Sequence, residues 1–311
     1  MRYVLRKLVT LLVTLFAVSL LAFLAFSVIP GDPAVLQLGI NATPERLAAL
    51  RVELGLDLPF WVRYGQWLWD MVFGDMGQSF AHGISVRALI GERLAITGSL
   101  IAMSFLLTVV IALPLGLLTS GAGRKTQGIV TGLAQVMMAV PPLFLGLVLT
   151  FVFGATLRLF VPSAFVSFRD SFGGFLWYML FPALAIALPK VAMIVRLIRT
   201  SVREELLKDY VLTAISRGNG SRAVLYRHVL PNIAVPVITF ATLTLIMMVT
   251  DSIVVEQVFS IPGAGRLLIS AIGARDYPVV QALVLVIACV VMVSHAVSDI
   301  LVRVIDRRIT L

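Results

Sequence analysis

This 311-residue chain carries little charge. Only 13% of its residues are Asp, Glu, Lys or Arg, about half the share usual in a soluble domain. It has a single cysteine, Cys289, which excludes an intrachain disulfide, and a lone Cys in an apolar run packs as a small hydrophobe. There is no His-Glu-x-x-His, no Cys-x-x-Cys and no nucleophile–base pair suited to an intramembrane enzyme. The three histidines, His82, His228 and His295, fall on different sides or depths of the topology derived below, so they do not share a metal. Gly121-Ala122-Gly123-Arg124-Lys125-Thr126 lacks the glycine directly before lysine, and the preceding strand, that a phosphate-binding loop requires. It reads as a tight basic turn.

What the chain has instead is apolar surface. Hydrophobic residues make up 59% and the mean hydropathy is +1.01. So short a chain has too little interior to hide that surface from water. These figures exclude a disordered chain, a disulfide scaffold and an ordinary cytosolic enzyme, and they indicate an all-α, polytopic membrane protein. The net charge of +9 and pI of about 10.3 would suggest nucleic acid on a soluble protein. Here the basic residues mark the cytoplasmic side of a bilayer, and no nucleic acid is expected.

A membrane helix needs roughly 20 apolar residues. Six stretches qualify: Leu8 to Ile29, Leu94 to Gly123, Thr126 to Leu157, Ser171 to Val195 (interrupted by Lys190), Val229 to Thr250, and Tyr277 to Ser298 with His295 inside it. His295 is expected to be packed and hydrogen-bonded. Both termini then lie on one side. That side carries fifteen basic residues, seven of them between the fourth and fifth spans, against nine on the other. The termini are therefore assigned to the cytoplasm. The first span is too long for a signal-peptide core and Ile29-Pro30-Gly31-Asp32 is no cleavage site, so it reads as an uncleaved anchor.

The chain thus divides into 1–29 (cytoplasmic start and first span), 30–93 (an extracytoplasmic segment of short helices) and 94–311 (a five-span core). In 30–93, Thr43-Pro44-Glu45 is a helix start, and Pro59 opens a second helix rich in Trp61, Trp67 and Trp69. That helix either lies at the membrane interface or docks an external partner. The loop from Glu256 to Asp276 carries Pro262-Gly263-Ala264-Gly265, which breaks helix and folds the chain back. The cytoplasmic segment 196–228 reads as one helix over Arg199 to Ala214, a turn at Arg217-Gly218-Asn219-Gly220, and a short helix capped by Ser221. Leu230-Pro231 then starts the return. With little apolar surface of its own, this segment is expected to pack against a cytoplasmic subunit.

Charges inside the bilayer are costly and face a bundle interior or water. Lys190, Asp251 and Glu256 are candidates for lining a solute path. Alternatively, Lys190 and Asp251 snorkel or meet a partner helix. The first two are judged to sit at different depths, so direct pairing is not expected. Pro114, Pro141, Pro142, Pro182, Pro189 and Pro236 interrupt span material, as in helices that bend or kink.

Taken in order, Pro30-Gly31-Asp32-Pro33, Leu54-Gly55-Leu56-Asp57-Leu58-Pro59, Gly74-Asp75-Met76-Gly77-Gln78-Ser79, Asp209-Tyr210 with Thr213-Ala214 and Gly218, Leu230-Pro231, Val255-Glu256-Gln257-Val258-Phe259, Arg275-Asp276-Tyr277-Pro278 and Asp306-Arg307-Arg308-Ile309 resemble one family. It is the inner-membrane permease subunits of binding-protein-dependent ABC importers, of the dipeptide, oligopeptide and nickel type. The resemblance implies the type I importer permease fold, a second similar permease, two cytoplasmic ATPases that bind ATP and Mg, and an external solute-binding protein. This chain would itself bind no cofactor. Asp209, Tyr210, Thr213, Ala214, Gly218, Leu230 and Pro231 would then form the ATPase-coupling loop. The implied cargo is short peptides, with nickel or a metal–chelator complex as the alternative. A stand-alone channel or secondary transporter is the rival from another class.

Overall fold

The computed structural model describes residues 2–28, 33–38, 42–53 and 55–305. Pro30-Gly31-Asp32, Leu54 and Asp306-Arg307-Arg308-Ile309 lie outside the described residues. Among the described residues the regular structure is helical, save one antiparallel bridge between Gln78 and Ser85. In chain order the helices are α1 (Arg2–Val28), α2 (Pro33–Leu38), α3 (Pro44–Glu53), α4 (Phe60–Val72), α5 (Val86–Ser120), α6 (Arg124–Ala139) and α7 (Pro142–Leu149), which continues as π-helix over Thr150–Thr156. Then come α8 (Phe172–Leu206), α9 (Asp209–Ser216), α10 (Ser221–Val224), a π-helical turn at Leu225–Val229, α11 (Leu230–Val258), α12 (Ala264–Gly273) and α13 (Tyr277–Ile305).

Local chemistry sets several boundaries. The Arg46 amide donates to Thr43 Oγ1 at 3.3 Å, the cap expected ahead of Pro44. Ser171 takes an extended backbone and its Oγ accepts from the Gly174 amide at 3.1 Å, which starts α8. Pro114, Pro182, Pro189 and Pro236 all lie inside continuous helices. The Pro141-Pro142 pair acts differently. A residue before proline is pushed out of the helical region. Val140 and Pro141 are both extended, and α6 and α7 meet at 100°. The expected single span from Thr126 to Leu157 is thus a bent pair.

By length and apolarity, four helices among the described residues can cross a bilayer: α5, α8, the continuous 221–258 helix and α13. The bent pair makes five if it is one span. In α1 the apolar stretch Val9–Ala25 is shorter, about 25 Å at 1.5 Å per residue.

The chain forms two compact units, residues 1–96 with 262–292, and residues 97–261 with 293–311. In the first, α4 packs on α1. Phe23 lies against the rings of Phe60, Tyr64 and Trp67 at 5.4–5.5 Å, and Ser19 Oγ and Tyr64 Oη share a 2.7 Å hydrogen bond. Trp61 and Trp69 stay exposed. Val86 and Ile90 of α5 form a core with Ala264, Leu267 and Ala271 of α12 and with Val279, Val280 and Leu283 of α13. Two of the family-like motifs meet here. The buried Asp276 carboxylate accepts from the Phe80 amide (3.0 Å), the Ala81 amide (3.2 Å) and the Ser79 hydroxyl.

The second unit is organised around α8, 78% of whose apolar window is buried, against 28% for each of the other three spanning helices. A β-carbon on Gly116 of α5 would lie 2.9–3.0 Å from Ile198 of α8, so that close approach requires glycine. Along α13, Cys289 and His295 are exposed, contrary to the expected packing. The chain itself leaves both side chains uncovered.

Asp276→Ala would strand the buried Ser79 hydroxyl, at roughly 1–3 kcal/mol, and leave the part-buried Phe80 and Ala81 amides without their acceptor. It should lower the thermal unfolding midpoint of the detergent-solubilised protein markedly. An unchanged midpoint would contradict this role for the carboxylate.

Candidate functional site

The segment after α8 is where the sequence reading and the structure differ most. Arg199 to Ala214 is not one helix. It breaks at Leu207-Lys208, where Lys208 is extended, and α9 starts with Asp209 in its first turn, beside the positive end of the helix dipole. α9 closes as a Schellman motif. The Asn219 amide donates to Ala214 O (3.3 Å), the Gly218 amide donates to Ile215 O (2.9 Å), and Gly218 has φ +82°. That left-handed conformation suits glycine. The Asn219 side chain adds a 2.9 Å bond to Ala214 O. Gly220, not Ser221, is the N-cap of α10.

The return into the membrane begins earlier than Leu230. Residues 221–258 form a continuous helix, with the π-turn immediately before Leu230-Pro231. Proline lacks an N–H and its ring clashes with the carbonyl four residues back. A wider turn at this point relieves both problems.

α9 has two faces. Val211 and Ala214 are buried in a core with Val191, Ile194, Val195, Ile198 and Val202 of α8 and with Val224, Val229 and Ile233. The segment therefore does have apolar surface of its own, and Ala214 is turned into the chain. Asp209, Thr213 and Ser216 are exposed, as are Leu212 (57%) and Ile215 (52%). Leu230 packs against the same core, while Pro231 is exposed.

Tyr210 ties the pieces together. Its hydroxyl donates to Glu205 Oε1 at 2.7 Å and accepts from Asn232 Nδ2 at 3.0 Å. Asn232 Nδ2 also donates to His228 O at 2.8 Å, and Lys208 Nζ sits 2.6 Å from Glu205 Oε2. One phenol thus links the end of α8, the start of α9 and the first turn of α11. Burial first, and then the hydrogen bond to Glu205, push the Tyr210 phenol above its usual pKa. Glu205 and Asn232 were not singled out from the sequence. The available signal was Glu205 itself, an acid that continues the apolar face Val195, Ile198, Val202 at helical spacing.

Deeper in the bundle, Lys190 Nζ pairs with Asp251 Oδ2 at 2.7 Å, both side chains largely shielded. This corrects the expectation of different depths. Counted from the level where Glu205 and Asn232 meet Tyr210, Lys190 lies fifteen residues along α8 and Asp251 nineteen along α11. The offset is about 6 Å, which a lysine stem spans. The pairing leaves Lys190 no uncompensated positive charge to set against a cationic cargo. Glu256 is fully buried and accepts from the Thr97 hydroxyl, apart from that pair.

Comparison with known proteins matches residues 112–311 to the family described as "Binding-protein-dependent transport system inner membrane component". Residues 1–101 match its companion, "Binding-prot-dependent transport system membrane comp, N-term". A Brucella abortus protein named as a candidate peptide transport system permease is 35% identical over 309 residues, 98% of each chain. The oligopeptide transport system permease protein AppB of Bacillus subtilis is 31% identical, covering 99% of this chain and 98% of the relative. The dipeptide transport system permease protein DppB of Lactococcus lactis is 30% identical over 100% and 99%. Among solved structures, a chain from the inward-facing methionine ABC transporter MetNI has the same fold. Its TM-score is 0.50 at 18% identity, covering 69% of this chain and 93% of that one.

Removing one member of a buried ion pair leaves an uncompensated charge, at a cost of about 3–5 kcal/mol, while replacing both is often neutral. Lys190→Met and Asp251→Leu should each lower the thermal midpoint, and the double variant should recover most of the loss. Additive losses would contradict the pairing.

Proposed function

The chain belongs to the family of binding-protein-dependent transport system inner-membrane components, and from that premise we propose that it is a six-span, non-catalytic permease for short peptides with both termini in the cytoplasm. A second permease would complete the path. Two ATPases, binding ATP and Mg, would dock below, and an external binding protein would deliver cargo. The multi-pass chain is the permease component of an ABC importer. The peptide assignment draws on the names of the relatives.

The observation that carries the coupling role is the attachment of α9. A helix of eight residues is too short to be stable alone. This one is closed by a Schellman turn, buried along one side against α8, and linked by Tyr210 to both α8 and α11. Force applied to its exposed side at Leu212 and Ile215 would therefore move two membrane helices with it, as rigid-body alternating access requires. Asp209 and Thr213 share that outward surface. Ala214 and Leu230 serve it from within as packing, and Gly218 serves it as the left-handed stop. On this reading Lys190 and Asp251 hold α8 to α11 instead of meeting cargo singly.

In proteoliposomes holding the complete transporter, Leu212→Asp/Ile215→Asp should abolish ATP-driven peptide uptake while membrane insertion persists. Gly218→Val, strained at φ +82° by about 1–3 kcal/mol, should do the same. Unchanged flux would favour a channel or secondary transporter. Offering dipeptide, free nickel and a metal chelate separately reads the cargo, and uptake of metal alone would overturn the peptide assignment.

A further inference from the structure

The coupling face and the buried ion pair leave unexplained the cleft between α6 and α8, a cavity of about 1290 Å³. Arg196, Arg199 and Arg203 recur on one face of α8 at steps of three and four, and all line it. Arg124, Thr131 and Gln135 do so from α6. Four arginines thus face one acid, Glu204, among the lining residues. Arg199 is committed, since its Nη1 donates to Thr131 Oγ1 (3.0 Å) and its Nη2 to Gln127 O (3.2 Å). Arg196 and Arg203 have no ion-pair partner among the described residues.

The shape argues for a guest. Gly128 and Gly132 also line the cleft, and a β-carbon on either would meet nothing within 4 Å. Arg196 lies ten residues before the end of α8, and Gln135 eleven residues after the start of α6. The polar lining therefore runs about 15 Å inward from both helix ends. Leu206 and Leu207 stand at its rim, and Leu207 is 78% exposed. Unopposed guanidinium groups beside exposed leucines match an amphiphile with an anionic head. A solute path fits less well, because it must release what it binds, and a cluster of unpaired arginines would retain an anion.

We propose that this cleft binds the headgroup phosphate of an anionic phospholipid from the cytoplasmic leaflet. Basic pockets between membrane helices on that side recognise such headgroups. The inference rests on the membrane orientation adopted under the proposed function.

The test uses the complete transporter, purified and delipidated, with lipid retention read by native mass spectrometry during titration with phosphatidylglycerol or phosphatidylcholine. Phosphatidylglycerol should be retained selectively. Arg196→Gln/Arg203→Gln should weaken that retention about 30-fold, on the basis of about one kcal/mol per basic residue, without changing phosphatidylcholine. Arg196→Lys/Arg203→Lys should keep most of the selectivity, which separates charge from folding. Equal retention of the two lipids, no effect of the Gln pair, or displacement of the lipid by inorganic phosphate or a synthetic acidic peptide at equal concentration would overturn the proposal. Uptake is measured on the same preparation. Lipid selectivity without ATP-driven uptake sinks the importer reading alone, and uptake without selectivity sinks this site alone.

Discussion

A helix enclosed by its own protein inside a bilayer has no water to fall back on, so every buried polar side chain on it must find a partner within the fold. α8 is that helix here, and it meets the constraint at two levels. Midway along, Lys190 is neutralised by Asp251 of α11. At its end, Glu205 takes the Tyr210 hydroxyl and the Lys208 ammonium. Both solutions reach outside α8, and both tie it to the elements that follow it in the chain.

The second tie turns a short surface helix into part of the membrane framework. α9 buries Val211 and Ala214 against α8 and the helix leading into α11, while Tyr210 joins the three by hydrogen bonds. The remaining side of α9 carries Leu212 and Ile215 in the open. Packing on one face and exposure on the other are what a lever needs. It must be stiff with respect to the spans it moves and available to whatever moves it.

Much of this was legible in the sequence. Long apolar runs mark α5, α8 and α13. Thr43-Pro44 announces α3, and Gly218 a turn, which the structure makes left-handed. The misreadings share a cause, which is that they concern contacts between distant segments. Counted from span ends, Lys190 and Asp251 fall at different depths, but the Tyr210 contact sets the true register of α8 against α11. The coupling segment was judged by composition, which counts Ala214 and Val211 as sparse apolar residues and cannot tell that both turn inward. Pro141-Pro142 was read as a kink, yet two extended residues in succession produce a 100° corner. Glu205 is inconspicuous in the sequence, because a charge near a helix end looks like an ordinary solvated residue.

The central claim is that Tyr210 makes α9 mechanically continuous with α8 and α11. The most direct measurement is peptide transported per ATP hydrolysed by the complete transporter carrying Tyr210→Phe, which keeps the ring and deletes the hydroxyl. The account predicts intact assembly and continued hydrolysis with a clearly lower yield of transported peptide. A yield equal to that of the unaltered transporter would contradict it.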